Sequence, residues 1–73
     1  MLTETDLKEI AACKGGMIIS AKDYSVTTLK ELASFAGGDG GMLIIKRANK
    51  LTPADLQNIA EIGDGKVVFD LTD

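Results

Sequence analysis

Apolar residues recur along this chain in three similar blocks, each a helix-spaced stripe followed by a short strand-like run. When Leu7, Leu29 and Leu56 are superposed, Ile10, Leu32 and Ile59 fall three residues later. Ala11, Ala33 and Ala60 come next, and Cys13, Phe35 and Ile62 two further on. Offsets of three and four residues lie along one side of a helix. Four residues ahead of each leucine stands a hydroxyl, Thr3, Ser25 or Thr52, able to accept from the free amides of a first helical turn. The residue before each hydroxyl is apolar, Leu2, Tyr24 or Leu51, at the spacing of a hydrophobic staple. Asp6 and Asp55 stand where a carboxylate answers the cap, and Pro53 occupies a first helical position, where its missing N–H costs nothing. The stripes therefore predict three capped helices.

Glycines follow each stripe: Gly15 and Gly16, then Gly37, Gly38, Gly40 and Gly41 around Asp39, then Gly63 and Gly65. Their expected task is to close the helices in the left-handed conformation. The runs MIISA from Met17, MLIIKR from Met42 and VVFDL from Val67 read as strands. A strand, a helix and a second strand make a crossover that joins parallel strands with a right-handed turn. The expected fold is α/β: three tandem helix-strand units, residues 2–23, 24–50 and 51–73, in one domain spanning 1–73. A three-stranded parallel sheet in the order 1-2-3 carries its helices on one face. In architecture this resembles the stacked strand-and-helix units of repeat proteins. The alternative puts helices on both faces, with strand 3 beyond strand 1 or the first helix crossing the sheet.

Side chains alternate across a strand. Counting from the first residue of each run, Met17, Ile19, Met42, Ile44, Val67, Phe69 and Leu71 are expected against the helices. Ile18, Leu43, Ile45 and Val68 are expected on the other face. Under the 1-2-3 order nothing in the chain covers that second row. Four aliphatic side chains in water forgo about 1.5–3 kcal/mol each relative to burial. These four residues, or an unpaired outer strand, are accordingly the expected interaction surface, for another protein or for a second copy.

Composition narrows the chemistry. The chain of 73 residues has no histidine and one cysteine, Cys13, so neither a disulfide nor a zinc site is expected to support its thin core. No cofactor is expected. Cys13 aligns with Phe35 and Ile62 and reads as a buried structural thiol. The carboxylates are scattered, and no nucleophile pair is evident, so an enzyme is not expected. A formal charge of −3 with three aromatic residues argues against nucleic acid. The acidic first ten residues do not have the layout of a secretory leader. No apolar run approaches membrane-spanning length, and with the lone cysteine this makes the cytoplasm the expected compartment.

Two motifs invite ligand readings. The GGDGG run leaves a helix and enters a strand, the reverse of a phosphate cradle, and reads as a flexible turn. The loops after the first and second strands carry Lys22, Arg47, Asn49 and Lys50 at the edge where open α/β sheets usually bind ligands. Those four are the expected residues of a small-anion site, the second functional reading after protein association.

Overall fold

A computed structural model of the chain describes residues 2–72. The first and last residues of the expected 1–73 domain lie outside the described residues. Helix α1 spans Glu4–Ala12 and strand β1 Met17–Ser20; α2 spans Val26–Gly37 and β2 Leu43–Lys46. A short 3-10 turn at Ala48–Lys50 leads to α3, Pro53–Gly63, and to β3, Val67–Phe69. The strands are parallel in the order β1-β2-β3. All three helices lie on one face of the sheet, with α2 packed between α1 and α3.

Each helix starts at its hydroxyl. Thr3, Ser25 and Thr52 adopt extended backbone, and their side chains accept from the amides of Asp6, Thr28 and Asp55. Thr3 and Asp6 exchange both bonds, which closes a capping box on α1. The Tyr24 ring packs against the core, and its hydroxyl donates to the Leu2 carbonyl at 3.1 Å, joining two of the staples.

The helix ends depart from the expected pattern. The residues with left-handed backbone are Lys14, Arg47, Asp64 and Gly65, so most of the helix-end glycines serve another purpose. That purpose is space. A Cβ on Gly37 would stand 2.2 Å from the Ile62 carbonyl oxygen, and one on Gly41 2.6 Å from the Gly16 amide nitrogen. The first glycine lets α2 and α3 converge, and the second lets the loop after α2 pass against the start of β1.

The repeat also fails to equalise burial. Central α2 buries Leu29, Leu32, Ala33 and Ala36, because it has a neighbour on either side. Its flanking helices bury fewer residues, Leu7 and Ala11 in α1 and Ile59 and Gly63 in α3. Cys13 is exposed rather than a buried thiol, and its counterparts Phe35 and Ile62 are also partly in water. Six residues beyond the core leucine amounts to about 600° of helical rotation, which turns this position well away from the sheet.

One buried polar side chain joins two units. Thr28 in the first turn of α2 is 1 % exposed and donates its hydroxyl to the Glu4 carboxylate at the start of α1. The Ser25 hydroxyl lies 3.1 Å from the Thr28 hydroxyl. Lys8 and Glu31 add an ion pair at 2.7 Å between the same helices, and the Glu31 carboxylate raises the Lys8 pKa above its ordinary value. Thr28→Val keeps the shape and removes the hydroxyl. The variant is expected to lose about 1.5 kcal/mol in urea unfolding, the low end for a hydrogen bond to a charged group because Glu4 is exposed. Glu4→Gln, which retains an acceptor, should lose less. A Thr28→Val protein as stable as the parent would show that the tie contributes nothing.

Candidate functional site

Strand pairing sets which side chains face away from the helices. Met17 lies beside Leu43 and Leu43 beside Val67; Ile19 lies beside Ile45 and Ile45 beside Phe69. These six form or pack against the core. Ile18, Ile44 and Val68 make the central row of the opposite face. No helix covers them: Ile18 is 64 % and Val68 43 % exposed, and Ile44 is half-buried. One step toward the strand starts is Gly16, Met42 and Lys66, of which Met42 is 49 % exposed. One step toward the strand ends is Ser20, Lys46 and Asp70. The open face is therefore an aliphatic band that takes in Met42, bordered by Lys66 toward the strand starts and by Ser20, Lys46 and Asp70 toward the strand ends.

This arrangement corrects half of the expected interaction row. Ile18 and Val68 are on the open face, but Leu43 and Ile45 are buried in the core, 2 % and 0 % exposed. Their places are taken by Met42 and Ile44. The even spacing of Met17, Met42 and Val67 suggested that these three align, whereas Leu43 aligns with Met17 and Val67. A shift of one residue turns every side chain to the other face. The physical reason is Lys46. In the expected register it would point at the helices, and in the observed one its ammonium stands in water while Leu43 and Ile45 fill the core. Leu71, expected against the helices, lies beyond the end of β3 and is exposed.

The strand-end edge holds an open groove of about 260 Å³ lined by Ser20, Lys46, Arg47, Asp70 and Thr72. Of the expected anion-binding residues, only Arg47 lines it. Lys22 occupies the turn after β1, and Asn49 and Lys50 lie in the 3-10 turn; all three are exposed. The groove also contains a carboxylate. Thr72 donates its hydroxyl and, at 3.0 Å, its backbone amide to Asp70. The Thr72 hydroxyl contributes most to holding the Asp70 pKa below the ordinary carboxylate value, with its amide next and Lys46 assisting. At neutral pH the groove therefore pairs cations with a fixed negative charge, a setting for balanced polar contacts more than for an anion.

A second open groove of about 360 Å³ runs beside edge strand β1, between Ile18 and the staple residues Leu2 and Tyr24. It extends the apolar surface around that edge. Among the described residues, no group of three or more His, Cys, Asp or Glu side chains could hold a metal, and no helix is long and apolar enough to cross a membrane.

No protein-family model matches the chain, and no curated protein or solved structure shows significant similarity to it. What the geometry defines is a two-layer α/β domain of three stacked units whose exposed sheet face carries an aliphatic band.

Proposed function

We propose that this chain is a non-catalytic, cytoplasmic association module that binds a second copy of itself through the helix-free sheet face. The observation that carries the reading is the exposure of Ile18, Val68 and Met42 around Ile44 on one continuous surface. In a small domain whose stability is on the order of 5 kcal/mol, that much aliphatic surface in water is a substantial stabilisation forgone, and pairing recovers it. The mixed signs at the rim, Lys46, Lys66 and Asp70, favour a surface of like composition over a strongly charged partner.

Three strands make a backbone face only about 10 Å wide. The contact falls below the ~1,200 Å² of tight complexes, and dissociation is expected between about 1 µM and 1 mM. Sedimentation equilibrium over that range should show a monomer–dimer equilibrium. Ile18→Asp, at a position already in solvent, should keep the parent circular dichroism and remain monomeric throughout. A parent chain that stays monomeric at the highest concentration would remove the reading. Amide shifts in the loops carrying Lys22, Arg47, Asn49 and Lys50 during a phosphate titration of that monomer would favour the anion reading instead.

A further inference from the structure

We infer that the second copy lies across the open face with its strands antiparallel to those of the first, fixed by two reciprocal ion pairs between Lys66 and Asp70. This arrangement rests on the self-association reading. Lys66 and Asp70 stand on the same face at opposite ends of β3, separated by Val68. Lys66 belongs to the row of Gly16 and Met42, and Asp70 to the row of Ser20 and Lys46.

A closed face-to-face pair of sheets with aligned strands has two choices of two-fold axis in the plane between them. An axis along the strands puts each row opposite itself. Lys46 then meets Lys46 of the second copy, Lys66 faces Gly16, and Asp70 faces Ser20. Like charges meet at the centre of a rim, and neither Lys66 nor Asp70 gains a partner.

An axis across the strands puts the row of Lys66 opposite the row of Asp70. Each Lys66 meets Asp70 of the second copy, so the pair forms twice. Met42 lies against the aliphatic stem of Lys46, an apolar contact that leaves the ammonium free at the rim. Ile18, Ile44 and Val68 each meet their own counterparts, giving an unbroken apolar centre. Asp70 is suited to the role, since its Thr72 contacts keep it ionised and fixed in place. Both arrangements bury the same aliphatic row, and charge complementarity selects the second.

Charge reversal separates the two. Lys66→Glu or Asp70→Lys alone places like charges opposite one another twice per dimer, and each is expected to weaken association at least about ten-fold. The double variant Lys66→Glu/Asp70→Lys restores opposite charges and should return to within about three-fold of the parent. Sedimentation equilibrium reads the affinities, and circular dichroism checks that each variant is folded. A parent that dimerises while both single variants retain its affinity would overturn the antiparallel arrangement and leave self-association standing. So would a double variant no tighter than the singles. A monomeric parent would instead fail the underlying reading.

Discussion

Gly37→Ala is expected to destabilise the domain by about 2–4 kcal/mol, although glycine to alanine inside a helix ordinarily stabilises by about 1 kcal/mol. Gly37 closes α2 with a negative φ, so an alanine there meets no conformational penalty. The obstacle is α3. A Cβ would stand 2.2 Å from the Ile62 carbonyl oxygen and 3.1–3.2 Å from Gly63 backbone atoms, none of which can rotate away. The helices must separate, loosening Ala33, Ala36 and Ile59, the residues that their close approach buries. Ser34→Ala, at an exposed position one turn earlier in the same helix, is the internal control. Urea unfolding of the two should give opposite outcomes, with Gly37→Ala well below the parent and Ser34→Ala equal to it or slightly above. A Gly37→Ala protein of parental stability would mean that α2 and α3 are not in backbone contact at this point.

The second large effect is a contrast between adjacent isoleucines. Ile45→Ala is expected to cost about 4 kcal/mol, within the range for deleting most of an enclosed aliphatic side chain. Ile45 is fully buried at the centre of the sheet, among Leu29, Leu32 and Ile19. A loss of that size leaves little net stability in a domain of this length, so the variant should be largely unfolded at room temperature. Ile44→Ala removes the same atoms from the open face and should cost the monomer no more than about 1 kcal/mol. Its effect belongs in the association equilibrium, where Ile44 occupies the middle of the aliphatic band. Thermal unfolding at low protein concentration separates these contributions. If the severe loss came from Ile44 and the mild one from Ile45, β2 would be in the other register.

Much of the architecture was legible in local sequence because each boundary is made locally. A hydroxyl four residues before a leucine caps a helix whatever surrounds it, and Thr3, Ser25 and Thr52 all do so. The Tyr24 staple, the three strands and their parallel direction likewise follow from spacing and from the restricted geometry of crossovers, whereas the order 1-2-3 is one of two that those crossovers allow, and the structure adopts it. The candidate surface was half legible. Ile18 and Val68 are legible because Met17 and Val67, the starting residues of the first and last strands, both pack against the core, and alternation from them turns Ile18 and Val68 to the open face. Leu43 and Ile45 are not legible in this way, because periodicity fixes which side chains share a face of β2 but not which of the two faces is covered. The charge on Lys46 was the overlooked signal.

The sequence by itself determined the number, order and type of elements, because capping, stapling and apolar spacing act within a turn or two of the chain. Only the tertiary structure decided the face that β2 presents and the need for glycine at 37. Those outcomes depend on the distance between elements far apart in sequence. A side chain's burial is settled by its neighbours across the sheet and between helices, and equivalent positions in a repeat differ when one unit has neighbours on both sides and the others on one.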